Sequence, residues 1–288
     1  MAVNESQYGY NPHEYVAIIF VVLYAISTTF HVGQATYYRM WWLFPTACLC
    51  GLGELVGWGG RLWSSMSPIA YNPFMMQIVS TVIAPTPLIA VNFILLSWIV
   101  TRLGPWYARL TPIRYAVLFI TCDIIALMIQ AVGGGIASTA SDSSGTTLGG
   151  NIMLAGIVFQ FVSIVTYSTL AADFLFHYHT DRPLRFNSNG RGILEEKVKT
   201  MICGLTFSTL TLSIRSIYRI VELAGGWNGR VLHTEVYFNV LDGGMVVLAI
   251  YTLNFVHPGR LLGTRKPQLP ADYVVKLEAM EGGNMERK

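Results

Sequence analysis

Seven separate runs of apolar residues, each long enough to cross a bilayer, constrain this chain more than any other feature. A helix needs about 20 residues to span roughly 30 Å of hydrocarbon. The runs lie at approximately Tyr15–Thr36, Trp41–Trp63, Phe74–Val100, Tyr115–Ala137, Asn151–Phe176, Met201–Ala224 and Val236–Val256. Charged residues make up 12% of the chain, about half of the roughly 25% usual in soluble domains. The expectation is an all-α, polytopic membrane protein with seven transmembrane helices. Its parts are an N-terminal segment (1–14), the helical domain (15–256) and a charged, disordered tail (257–288). Two connections are long: the Ser/Thr/Gly-rich loop 138–150 and the basic loop 177–200.

Lysine and arginine set the orientation. With the N-terminus outside, fifteen of the 19 Lys and Arg fall on the cytoplasmic side. Only Arg61 and Arg230 fall outside, and Arg215 and Arg219 lie within a span. The reading is therefore N-out, C-in, in the plasma membrane or another cellular membrane. No cleavable signal peptide is visible. Asn4-Glu5-Ser6 is a candidate glycosylation sequon on the outer side. Cys48, Cys50, Cys122 and Cys203 all sit in apolar runs and read as small core residues.

Against this apolar background, polar residues recur at helical spacing. Arg215, Arg219 and Glu222 share one helix face, as do Glu54 with Arg61, Asp123 with Gln130, and Glu235 with Asp242. At 1.5 Å per residue, Glu54, Gln130 and Arg215 lie about 20 Å or more above the cytoplasmic end of their spans. Gln160 lies about 14 Å below the outer surface and Asp242 about 9 Å below it. A charge at a span centre costs about 2.5–3.5 kcal/mol, so such groups face the bundle interior and find partners or water. The set reads either as helix-to-helix glue or as the lining of an outward-facing ligand or transport cavity. Five acids stand against three bases in it, which favours a cationic head group on an amphiphilic ligand. Pro85 and Pro87 deny N–H groups to the carbonyls of Thr81 and Ile83, and should kink or open the third span.

Several functions find no support. The last span has no lysine for a Schiff base, and His13, His177, His179, His233 and His257 lie at span ends or in loops. His31, within helical sequence, reads as a satisfied interface residue. No metal site, Walker A pattern or Gly-x-Ser-x-Gly elbow is present, so neither an enzyme nor a cofactor is expected. Nothing points to nucleic acid.

The ordered set of blocks Gly9-Tyr10-Asn11-Pro12, His31, Gly53-Glu54-Leu55-Val56-Gly57 with Arg61, Ala84-Pro85, and Asp123 with Gln130-Ala131-Val132-Gly133-Gly134 is similar to a known family. It continues through Gly156 with Gln160, Ile214-Arg215 with Arg219-Ile220-Val221-Glu222, and Glu235 with Tyr237 and Asp242. The chain resembles the fungal RTA-like family of lipid-translocating exporters over nearly its whole length. That resemblance implies export or flipping of sphingoid long-chain bases, resistance to toxic amphiphiles and, in one branch, porphyrin traffic.

The expected function is translocation or binding of an amphiphilic lipid, with a membrane lipid or amphiphilic small molecule as partner. The candidate cavity residues are Glu54, Arg61, Asp123, Gln130, Gln160, Arg215, Arg219, Glu222, Glu235 and Asp242. One alternative is a seven-helix lipid-sensing receptor whose 177–200 loop and tail meet a cytoplasmic partner. A second is a porphyrin- or haem-handling protein or an intramembrane lipid enzyme. The sequence leaves the oligomeric state open.

Overall fold

The computed structural model describes residues 8–185, 192–226 and 229–263, and these are helical with no strand among them. The long helices are α1 (Glu14–Tyr37), α2 (Leu49–Met66), α3 (Tyr71–Ile83), α4 (Thr86–Leu103), α5 (Pro112–Thr139), α6 (Ser143–His179) and α7 (Glu196–Ala224). The last crossing is composite: a short α8 (Glu235–Tyr237), π turns over Phe238–Gly244, α9 (Met245–Phe255) and α10 (Pro258–Leu261). Six crossings among the described residues are long and apolar enough to span a membrane. The remaining long helix is α2, whose 18 residues include Glu54 and Arg61, and it packs between α1 and α3. The chain is thus an all-α integral membrane protein.

The expected spans recur with instructive differences. The second run does not begin as α-helix: a 3-10 turn (Trp41–Leu43) and π turns (Phe44–Cys48) around Pro45 precede α2. The third is two helices, α3 and α4, parted at Ala84–Pro85 where the two prolines were expected to open it.

The expected 138–150 loop is a correction, because helix α6 already starts at Ser143. Asp142 caps it, its carboxylate accepting from the Gly145 N–H at 3.2 Å. Thr146 and Thr147 turn their hydroxyls onto carbonyls four residues back, at 3.0 and 2.7 Å, so loop-like composition is accommodated in helix. The small residues serve packing: a Cβ on Gly149 would collide with the Ala137 nitrogen, and one on Gly133 would lie 2.5 Å from that of Met153. Helices α5 and α6 therefore touch backbone to backbone, the small-residue contact that membrane helices favour.

Helix α4 is the central post, buried along most of its length, with α5 and α7 against it. The outer surface is apolar: Ile18, Val22 and Ile26 on α1, Val117, Ile124 and Met128 on α5, and Leu210, Ile217 and Val221 on α7 are all exposed. These side chains face lipid, which leaves the interior to the polar residues. The tail from residue 264 and the Asn4 sequon lie outside the described residues.

Candidate functional site

Every one of the ten candidate residues belongs to a polar column inside the bundle, and the column has three levels.

The level nearest the N-terminus centres on Arg61. Its guanidinium donates to the Tyr10 hydroxyl at 3.0 Å and to Glu235 Oε1 at 3.1 Å. Four aromatic rings surround it, with Phe238 nearest at 4.6 Å, then Tyr8, Tyr10 and Trp58 at 5.3, 5.7 and 5.8 Å. Glu235 also accepts from the His13 backbone N–H at 3.0 Å and meets the His13 ring at 2.5 Å. These contacts fasten the segment before α1 to the start of the last crossing.

The middle level holds both arginines of α7. Asp242, completely buried, accepts from Arg215 Nε at 3.0 Å and takes a two-pronged contact from Arg219 at 2.7 Å on each oxygen. Arg219 also reaches Glu222 at 2.6 Å, whose other oxygen accepts from the Tyr218 hydroxyl at 2.8 Å. Asp242 lies within the π turns Phe238–Gly244. π turns of this kind are frequent at functional sites. The Phe238 ring lies beneath both Arg61 and Arg219, the latter at 5.2 Å, and joins the two levels.

Helix α3 completes this middle level. Arg219 donates to the Thr81 hydroxyl at 2.6 Å. Arg215 donates to the Thr81 carbonyl and, at 3.2 Å, to that of Val82. Pro85 leaves the first of these carbonyls without its helical N–H.

The third level lies beyond the break. Gln160 donates to Asp123 at 2.8 Å and to the Thr86 hydroxyl at 3.1 Å, and accepts from Gln130 at 3.1 Å. Both polar groups thus hold the same interrupted turn, one at Thr81 and the other at Thr86. Glu54 lies at that height too, because a Cβ on neighbouring Gly53 would come within 2.7 Å of Ala84.

The pairing locates the excess of acid. Arg215 and Arg219 are matched to Asp242 and Glu222, and Arg61 to Glu235. Glu54 is fully buried with neither carboxylate oxygen hydrogen-bonded, and Asp123 meets only an amide. Packing around the column is tight: a cleft of about 30 Å³ reaches Glu222 beside Ile78 and Asn151, room for one or two waters. No group of three or more metal-ligating side chains occurs among the described residues.

Thr81, Thr86, Tyr10 and Tyr218 belong to the site but carry no charge to mark them in sequence. Thr81 had one signal, its position four residues before Pro85. His31 is buried as an interface residue, with Nε2 3.1 Å from the Ile250 carbonyl.

A family model described as RTA1 like protein matches residues 47–265. Over 91% of this chain and 76% of the relative, 28% of residues are identical to the sphingoid long-chain base transporter RSB1 of Saccharomyces cerevisiae. Protein RTM1 of the same yeast is 27% identical over 68% of this chain and 61% of its own. The protoporphyrin uptake protein 1 is 24% identical over 84% of this chain and 89% of its own. No solved structure matches.

Proposed function

The chain belongs to the RTA1-like family, and from that premise we propose that it translocates a single-chain amphiphile with a cationic head, a sphingoid long-chain base or similar amine lipid. The observation that carries this reading is the pair of buried acids that form no salt bridge, Glu54 and Asp123, flanking a helix break that both polar groups hold. An ammonium head satisfies such an acid, and the hydroxyls beside it find Thr86, Gln130 and Gln160. Asp242 and the two arginines of α7 hold the turn in place. Movement of α3 against α4 about Ala84–Pro85 opens the column and passes the head along it.

The N-terminal end of the bundle faces outward, because the exposed Lys and Arg collect at the other end. Residues 1–14 are then extracellular, residues beyond 257 cytoplasmic, and the setting is the plasma membrane. The step makes and breaks no covalent bond, and a gradient or passive flow drives it. Clearing amphiphiles from the membrane accounts for resistance to toxic ones.

A porphyrin, the cargo that one relative is named for, is the second reading. It presents carboxylates, and the three buried guanidiniums already face acids. The amine is the better chemical fit.

The experiment is translocation of a long-chain base in proteoliposomes, with wild type beside Glu54→Gln and Asp123→Asn. The amide oxygen that Asp123→Asn introduces would still accept from Gln160, so the fold persists. Loss of one charged contact is worth about 1.5–3 kcal/mol, so each variant should move the base at least about tenfold more slowly. Wild-type protein that binds the base without moving it would favour a receptor, and a rate equal to empty liposomes with no binding would end the proposal.

A further inference from the structure

The unpartnered buried polar atoms gather at a second place, at the far end of α1 from the His13–Glu235 contact. His31 Nδ1, Gln34 Oε1, Asn254 Oδ1 and His257 Nε2 all lack a hydrogen-bond partner there. Their chemistry is fixed by what their other atoms do. Gln34 Nε2 donates to the Asn254 carbonyl at 2.9 Å, and Asn254 Nδ2 donates to Ser27 Oγ at 2.6 Å. Both amide oxygens are therefore free acceptors. His31 uses Nε2 on the Ile250 carbonyl, which makes Nδ1 an acceptor as well. His257 Nδ1 accepts from the Gly259 N–H at 3.1 Å, so neutral His257 carries its proton on Nε2, an unused donor.

A cleft of about 360 Å³ opens beside them, lined by Gln34, Asn254, His257, Arg260, Gly33 and Phe30. Its volume is that of a small-molecule site. Arg260 is exposed at the cleft and has no ion pair among the described residues. Phe30, Tyr37 and Phe255 along it are exposed on the apolar surface of the bundle, so the cleft is open to lipid. The same end of the bundle exposes Arg39, Arg182 and Lys197.

We propose that this cleft binds the head group of an anionic, hydroxyl-bearing phospholipid of the phosphatidylinositol class. The phosphate takes the exposed Arg260 guanidinium, and rotation of Gln34, Asn254 and His257, whose free atoms lie buried in the cleft wall, turns the amide oxygens to the ring hydroxyls and the Nε2–H to the phosphate. The acyl chains run along α1 past Phe30. Each part of the ligand answers a group the protein leaves unmatched: a donor and a cation call for phosphate, acceptors call for hydroxyls, and an open apolar wall calls for hydrocarbon. Basic pockets between membrane helices suit such head groups on the anionic leaflet. The site lies at the Tyr37 end of α1 and shares no residue with the level of Glu54 and Asp123, so it stands or falls independently of the proposed cargo.

The test titrates phosphatidylinositol and phosphatidylcholine into the purified full chain, read by native mass spectrometry, for wild type, Gly33→Leu and Arg260→Gln. A Cβ on Gly33 meets nothing within 4 Å. Gly33 is exposed, so leucine there projects into the cleft and favours the helix, and the variant should fold. Arg260 is exposed, and its replacement disturbs no packing. Wild type should prefer phosphatidylinositol by about tenfold. Arg260→Gln should lose about fivefold of that affinity, the worth of one surface cation near a lipid phosphate, and Gly33→Leu, which occupies the cleft, should lose at least as much. Phosphatidylcholine binding should not change. Equal binding of the two lipids, or undiminished phosphatidylinositol binding by Gly33→Leu, overturns the proposal. So does soluble inositol 1-phosphate binding as tightly as the lipid, which would make the free head group the ligand.

Discussion

Arg215 donates to the main-chain oxygen of Thr81, the acceptor that Pro85, four residues on, leaves without its helical N–H. A break in one helix is thereby filled by a cation from another. The same guanidinium binds Asp242, so backbone, arginine and carboxylate form one connected unit.

Pro85→Ala would return an N–H to that carbonyl in a residue already close to helical, at φ −73° and ψ −14°. Thermal unfolding should then occur at the same temperature or higher, because an interior proline costs a helix about 3 kcal/mol. Translocation should fall, since one of the two hydrogen bonds that the prolines withhold between α3 and α4 would be restored. A variant that transports normally would show the break to be structural only.

Removing the shared carboxylate has the opposite signature. Asp242→Asn leaves two buried guanidiniums short of charge, and breaking a buried pair costs about 3–5 kcal/mol. Glu54→Gln should leave unfolding unchanged or raise it, because no hydrogen bond to Glu54 is lost. The two unfolding curves in detergent, side by side, test whether the acids are as unequal as their partners imply.

Arg61→Lys keeps the charge but not the flat guanidinium that lies among four rings and spans Tyr10 and Glu235. The loss should be about 1–2 kcal/mol. It should appear first as faster hydrogen exchange at Tyr10–His13, the segment held on Glu235, and only weakly in α5 and α6. Uniform acceleration across the bundle would mean that Arg61 supports the whole fold.

Tyr8 supplies a pH dependence. Burial pushes its phenol up to about 12, from about 10 in an unfolded chain. Between those values the unfolded chain has released the proton that the folded chain retains, so stability falls as pH rises from about 10 to about 12. Tyr8→Phe gives up the hydrogen bond to Ser64 at 3.2 Å but should make that slope shallower by the share Tyr8 contributes. Thermal unfolding across the alkaline range would show it, and equal slopes for both proteins would exclude Tyr8 as the titrating group.

Much of the interior was legible in the sequence because hydrophobic length and helical spacing are local properties. Arg215, Arg219 and Glu222 at one face of α7, and the two prolines of the third span, could be placed by counting. The start of α6 could not: the Ser/Thr/Gly composition of residues 138–150 has the same look in a loop as in a helix whose small residues face a neighbour. Gly133 and Gly149 distinguish the two only once α5 lies against α6. The π turns around Asp242 escaped for a similar reason, since no residue type there demands them.

By itself the sequence determined seven apolar segments, a strongly asymmetric distribution of Lys and Arg, and a set of ten polar residues too costly to face lipid. Five acids against three bases could be counted, but not assigned. Tertiary structure alone decided that Asp242 serves two arginines, that Glu235 serves Arg61, and that Glu54 and Asp123 form no salt bridge. Spacing along a chain fixes which side chains share a face of one helix. Which faces meet depends on how each helix is rotated and how closely its neighbour can approach, and those follow from packing between segments far apart in sequence.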